Sequence, residues 1–573
     1  MATVRRLYLY AMSGITLAVL ATGLLILLDI LLNQAGIGRG ELLSGFVDAD
    51  RQQLSVAAAL VGVGLPVWAI HWFLVGRALR PGRDGTEAER GSPIRAFYLT
   101  LVLAVAAFSV AAALRDLLAS VLHIVINVQV PEWYGSVGND PSGAAALLAI
   151  GGLVWAYHAT VRRADVTVGP LFGAAAWWPR VYLYGASLVG LVIAAEAVGT
   201  LISIATAPSI DVNNFGEVNN FGELPPGDAR LVQLVDKGAE LVAWGAFWMV
   251  HLWLAARSMA DTGWRGPSER QARLRLAYLV GVIVIAAARA VQLVGAGLGA
   301  GIPLLLGARD AAGTAGRGDL ATAILVPLAS AVPWGLAWWF HHRRMRAEAA
   351  GPVPGAAGAA TAARLDLHGV STVGLAFGAV GLGWLFGLAI DVVFGGDRTI
   401  GDAWKFEVGT YLPFALLGFT LWAWTWARLR IRRAADPTAE ARSTTRRVAL
   451  LIVFGAALIT SIGSLALVLY RLFATALGVL LPGNPVSELS TPIGALATAV
   501  VIAVYHGLTV RSDTAVAATA RAALDAGGPA PGDPPAISRI LVLRGPASGD
   551  PTAVIATLRD ALPPGFDLDD RSS

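Results

Sequence analysis

Pro66-Val67-Trp68-Ala69-Ile70-His71 closes a long apolar run and stands just ahead of Arg77 and Arg80. The same ending returns along the chain. Trp155-Ala156-Tyr157-His158 precedes Arg162, Trp248-Met249-Val250-His251 precedes Arg257, and Trp338-Trp339-Phe340-His341 precedes Arg343. A fifth version, Trp422-Ala423-Trp424-Thr425 before Arg428, has Thr in the His place. A sixth, Ala503-Val504-Tyr505-His506 before Arg511, has Ala in the Trp place. Measured at the His position, the copies lie 87, 93, 90, 84 and 81 residues apart, which reads as one unit repeated in tandem.

Each unit holds two apolar runs. They lie near 7–32, 54–79, 96–122, 143–162, 181–206, 231–256, 274–300, 320–342, 369–394, 408–428, 448–472 and 492–510. A helix crosses the roughly 30 Å hydrocarbon core with about 20 apolar residues, and continuous rather than alternating apolarity selects helices over membrane strands. The units open on a basic residue, with aromatics in the early copies: Arg6-Leu7-Tyr8-Leu9-Tyr10, Arg95-Ala96-Phe97-Tyr98, Arg180-Val181-Tyr182-Leu183-Tyr184 and Arg275-Leu276-Ala277-Tyr278. Arg364-Leu365-Asp366-Leu367 and Arg447-Val448-Ala449-Leu450 keep only the basic start. The expected fold is an all-α polytopic membrane protein of twelve spans. Six hairpin repeats occupy 1–90, 91–172, 173–268, 269–350, 351–440 and 441–512, and 513–573 forms a soluble linker and tail. In that tail, Ile540–Leu543 reads as a strand, and Pro551–Leu562 as a helix with Asp550 as N-cap.

Composition agrees. Of 573 residues, 56% are hydrophobic and only 14% charged, against about 25% charged in soluble chains. Mean hydropathy is +0.63. With no Cys, thiolate metal sites, disulfides and cysteine nucleophiles are excluded. No continuous basic face suggests nucleic acid as a partner. The first apolar run exceeds a signal-peptide core of roughly 7–15 residues, so it is expected to remain as a span. Loops after each second helix carry the Arg residues, whereas hairpin loops are acidic or mixed, which predicts both termini in the cytoplasm of a cell-membrane protein. The third hairpin loop duplicates Val212–Glu217 as Val218–Glu223, read as a recent slippage event.

The repeated positions Trp68, His71, Trp155, His158, Trp248, His251, Trp338, His341 and His506 fall at one depth on the cytoplasmic side. Trp and Arg there suit an aromatic belt at the headgroup boundary. Each His is expected to bond a neighbouring helix, with a Tyr of the adjoining helix start as the candidate partner. The alternative is a row of imidazoles that binds an anion, senses pH or ligates haem. No other cofactor and no metal site is expected. Within the spans, Glu196 and Arg289 lie 16 and 14 residues beyond Arg180 and Arg275, so they are expected to pair. Asp29, Asp116, Thr200, Gln292, Asp391 and Arg471 align near the outer ends, as caps or as a vestibule lining. Catalytic signatures are absent from the sequence.

The unit resembles an uncharacterised prokaryotic membrane domain of unknown function, whose hairpin opens on Arg-x-x-Tyr-Leu-type residues and closes on Trp-x-x-His. Arg6 to Tyr10, Arg180 to Tyr184, Trp68 to His71 and Trp248 to His251 carry the resemblance, with departures at Asp366, Thr425 and Ala503. It implies membrane location and duplication, and no activity. The expected function is non-enzymatic transport, permeation or membrane-embedded sensing. Alternatives are a haem-binding redox protein and a scaffold subunit. Beyond the lipid bilayer, the candidate partners are a small solute, or a protein docked on the C-terminal tail.

Overall fold

The computed structural model describes residues 2–38, 47–80, 85–127, 141–167, 172–206, 226–263, 265–308, 317–350, 358–398, 401–477 and 483–525. Among them every regular element is a helix. In order these are α1 (Ala2–Gln34), α2 (Val47–Ala78), α3 (Thr86–Arg90), α4 (Pro93–Ile126), α5 (Pro141–Thr167), α6 (Gly173–Thr206), α7 (Pro226–Ala260), α8 (Arg265–Arg270) and α9 (Arg273–Ala300). There follow α10 (Ile302–Leu305), α11 (Arg317–Ser330), α12 (Val332–Ala349), α13 (Ala359–Phe394), α14 (Ala403–Ala435), α15 (Pro437–Arg442), α16 (Thr444–Ala476) and α17 (Pro485–Asp525). Among the described residues, twelve stretches are long and apolar enough to cross a membrane. At 1.5 Å per residue, the 34 residues of α4 reach about 50 Å, well past the hydrocarbon core.

Consecutive long helices pair antiparallel. Tyr8 meets His71 while Gly64 lies against the Leu20 backbone, and Gly190 lies against Phe247 and Trp248 while Tyr182 meets His251. The expected run at 320–342 differs in one respect: the helix breaks between α11 and α12 at Ala331. Pro327 and Pro333 bracket the break, and a proline removes the N–H that would continue the ladder. The seventh span, Arg273–Leu305, runs through α9 into the short α10.

Close helix contacts use glycine, as expected where lipid offers no hydrophobic incentive to associate. In the fifth hairpin, a Cβ on Gly418 would sit 2.2 Å from the Gly378 nitrogen and 2.6 Å from the Gly374 oxygen. The second Gly-x-x-x-Gly pair of α13 faces another helix: Gly383 packs on Gly494 and Gly387 on Ser490, both of α17.

Residues 1–513 form one compact unit and the chain from 514 a second, of which only the helical stretch to Asp525 is described. The strand–helix tail expected within 526–573 and the hexapeptide duplication at 212–223 both lie outside the described residues.

A polar lattice and a chamber in the last two hairpins as the candidate functional site

The Arg residues that open the hairpins are paired in two alternating ways, with Arg446 rather than the expected Arg447 as the opening residue of the sixth. In the first, third and fifth hairpins the partner is a glutamate on the short helix that follows. Arg6 Nε lies 2.7 Å from Glu89 on α3, Arg180 Nε 2.9 Å from Glu269 on α8, and Arg364 Nε 2.8 Å from Glu440 on α15. In the second, fourth and sixth hairpins it is a carboxylate near the end of the same hairpin. Arg95 grips Asp165 at 2.7 and 3.1 Å, Arg275 grips Glu348 with Nε at 2.8 Å, and Arg446 Nε lies 2.7 Å from Asp513.

Tyrosine ties the two modes together. The Tyr10 hydroxyl donates to Glu89 at 3.0 Å and accepts from Arg95 at 3.1 Å; Tyr184 likewise donates to Glu269 and accepts from Arg275. The contact pattern thus has a period of two hairpins. Fork-shaped, charge-assisted bonds of this kind are among the stronger polar contacts available to a buried guanidinium.

Four of the repeated histidines are occupied on both ring nitrogens. His71, His158, His251 and His341 each direct Nδ1 at the carbonyl four residues back, at 2.7–2.8 Å. Their Nε2 atoms meet Tyr8 at 3.3 Å, Tyr98 at 3.3 Å, Tyr182 at 2.9 Å and Tyr278 at 3.0 Å, each from the start of the same hairpin. Because a carbonyl only accepts, Nδ1 carries the proton and a neutral ring takes the phenol proton on Nε2. Trp155 and Trp248 reach across to the next hairpin, donating to Tyr182 at 3.2 Å and Tyr278 at 3.5 Å. Ligating haem would require Nε2 to release its tyrosine.

The last two hairpins depart from this scheme at every tyrosine position. Asp366 stands two residues after Arg364, where Tyr8 and Tyr182 follow Arg6 and Arg180. It lies 3.0 Å from Nδ1 of His342. Thr425, in the His place, satisfies itself on the carbonyls of Leu421 and Trp422 at 2.8 and 3.0 Å. His368 replaces the Tyr10/Tyr184 position, buried and with Nε2 unpaired. Ala449 stands three residues after Arg446, where Tyr98 and Tyr278 follow Arg95 and Arg275. His506 keeps its bond to the Ile502 carbonyl at 2.9 Å, but no tyrosine reaches its Nε2. Trp338 and Trp422 have buried indole nitrogens without a partner, as does Trp68 of the first hairpin, so of the repeated tryptophans only Trp155 and Trp248 make the bond to tyrosine.

The absent phenol leaves a void of about 10 Å³, the size of a single water, lined by His368, Ser371, Trp426, Ala449 and His506 among others. Through Thr372, Leu375 and Val453 it adjoins a chamber of about 330 Å³ between α13, α16 and α17. That volume falls at the lower end of the range for small-molecule sites. Its wall is apolar, with Thr372, Thr460, Thr491 and Thr498 as the hydroxyls.

The remaining candidate residues each have local partners. Arg289 Nη2 lies 2.5 Å from Glu196 and its Nη1 donates to Gln292 at 2.6 Å. Asp29 accepts from Ser142 at 2.6 Å, Asp116 from Arg115 at 2.6 Å, and Arg471 donates to Glu488 at 2.7 Å. Thr200 bonds its own helix at the Glu196 carbonyl. Asp391 is fully buried and caps the turn after α13, accepting from the Arg398 amide at 2.9 Å. Sequence reasoning missed the carboxylates Glu89, Asp165, Glu269, Glu348, Glu440 and Asp513, and also His368 and Ala449. It missed the His123–Asp236 contact at 3.4 Å between α4 and α7 as well. Among the described residues no group of three or more His, Asp or Glu is arranged to hold a metal.

No curated protein and no solved structure matches the chain. Residues 6–134 and 364–504 match the model of a domain of unknown function (DUF5671), so the resemblance carried by the hairpin motif is to an uncharacterised domain family, whose second matched segment contains every residue lining the chamber.

Proposed function

We propose that the protein is a non-enzymatic, membrane-embedded binding protein of the transport or sensing class. Its ligand is a small lipophilic molecule, taken from the bilayer into the chamber between α13, α16 and α17. The observation that carries this reading is the conjunction of an apolar cavity with two buried imidazoles lacking the tyrosine that engages their counterparts. The first four hairpins then serve as a close-tied frame, derived by tandem duplication of a two-helix unit. By the positive-inside rule, the imidazole end of the chamber faces the cytoplasm together with both termini.

The test is energy transfer from tryptophan to pyrene in nanodiscs, with Trp384 and Trp426 at the site as donors. The expected result is a saturable component in the wild type that is lost in Ala456→Phe, which fills the chamber. Transfer that rises linearly with pyrene in both proteins means partition into lipid alone and refutes the reading.

A further inference from the structure

We infer that the ligand is a hydroxyl-bearing lipophile whose O–H takes the place of the missing tyrosine phenol, donating to His506 Nε2. This rests on the chamber being a ligand site, and it names the ligand's polar group. The geometry leaves little choice of chemistry. His506 Nδ1 is committed to the Ile502 carbonyl, so the neutral ring presents Nε2 as an acceptor. In four other hairpins that atom meets a phenolic hydroxyl delivered from the helix start. Here Ala449 delivers nothing, while both His506 and His368 line the vacated space. His506 is 2% exposed and His368 5%, so bulk water is a poor substitute on either ring.

The two rings have complementary needs. The hydroxyl hydrogen satisfies His506, and the hydroxyl oxygen can accept from His368 Nε2, which is buried without a partner. A single water would fit the void, but the void shares Thr372, Leu375 and Val453 with a chamber some thirty times larger and nearly all apolar. An apolar body in the chamber with a hydroxyl at its inner end fills both at once. Ketones, ethers and hydrocarbons of the same shape lack the proton His506 requires, and a carboxylate would place a bare acceptor against another acceptor.

The experiment is competition against pyrene in nanodiscs by 4-octylphenol and by its methyl ether, 4-octylanisole. The phenol is expected to displace pyrene about tenfold more effectively, the scale of one buried hydrogen bond. His506→Phe should abolish that preference. Ala449→Tyr, which restores the phenol from the chain itself, should abolish it too, and it guards against a folding defect in the first variant. Equal displacement by phenol and ether in the wild type overturns the hydroxyl inference and leaves the chamber reading standing. A preference that survives in both variants overturns the assignment to His506. Absence of any saturable pyrene component is the failure of the chamber reading itself.

Discussion

Replacing Asp165 by Asn tests whether the Arg–carboxylate lattice holds the hairpins together. The Arg95 side chain is 2% exposed and that of Asp165 10%, and two bonds of 2.7 and 3.1 Å join them. Without the carboxylate charge, the guanidinium keeps the Tyr10 hydroxyl at 3.1 Å and a neutral amide. Breaking a buried pair on one side costs about 3–5 kcal/mol, because the surviving charge stays desolvated. That corresponds to roughly two to three and a half orders of magnitude in the folded-to-unfolded ratio. Removing both charges, as Arg95→Met with Asp165→Leu, should recover most of the loss, since well-packed apolar replacements of buried pairs are often neutral or better. Glu488→Gln is the control. Its pair with Arg471 has side chains 42% and 26% exposed, and pairs this open contribute about 0–1 kcal/mol. The assay is reversible unfolding by SDS titration from mild micelles, followed by tryptophan emission. An Asp165→Asn midpoint no lower than that of Glu488→Gln would refute the reasoning, and so would a double variant weaker than the single one.

Two further outcomes follow from the packing within the spans. Gly418→Ala puts a methyl against backbone atoms of Gly374 and Gly378, which cannot move aside, so folded monodisperse protein should be lost on size exclusion. Gly62→Ala, with nothing within 4 Å of the new methyl, should elute as wild type. Glu196→Gln and Arg289→Gln should each lower the SDS midpoint more than Glu488→Gln does: the two pairs are similarly open, but this one lies mid-span, where a single unpaired charge costs about 2.5–3.5 kcal/mol on insertion scales. Glu196→Arg combined with Arg289→Glu should restore the SDS midpoint; a swapped variant as weak as the singles would mean the ion pair is incidental.

The apolar runs and the Trp-x-x-His endings made the twelve spans and their antiparallel pairing legible, because period and length are written directly in the sequence. Similar distances from the basic starts, 16 and 14 residues, likewise placed Glu196 and Arg289 at similar depth. The carboxylates were harder. Glu89 and Arg6 are 83 residues apart, Glu269 and Arg180 89, but Asp165 and Arg95 only 70. That alternation has a period of two hairpins, and it disappears when six copies are aligned as equals. A count of basic loop residues also treats their acidic neighbours as background. The chamber was hidden for a different reason. The void at its edge is made by what Ala449 lacks, and in one sequence a small residue reads as drift until its neighbours in space are known. The break at Ala331 depends on two prolines acting together across a turn, which a hydropathy window averages away.

The two departing hairpins respond to their losses differently, and the contrast is what separates drift from a site. In the fifth hairpin both members of the Tyr–His tie are gone, and each replacement has found a partner: Thr425 on its own helix, Asp366 beside His342. That is a tie lost and healed. In the sixth hairpin the tyrosine is gone and His506 is retained, and His368 of the fifth hairpin lines the same void with a buried, unpaired Nε2, although an unsatisfied buried polar group costs about 1–3 kcal/mol. A phenylalanine or leucine at either position would remove that penalty outright. Polar groups held at a cost inside an otherwise consistent frame are where a chain departs from its own folding rules. Here the departure lies beside an apolar chamber and leaves the Nε2 of His506 without the hydroxyl that its counterparts meet. The repeated histidine is tied to a tyrosine in the first four hairpins, and under the proposed function it is the sixth copy, where that tyrosine is missing, that serves the ligand.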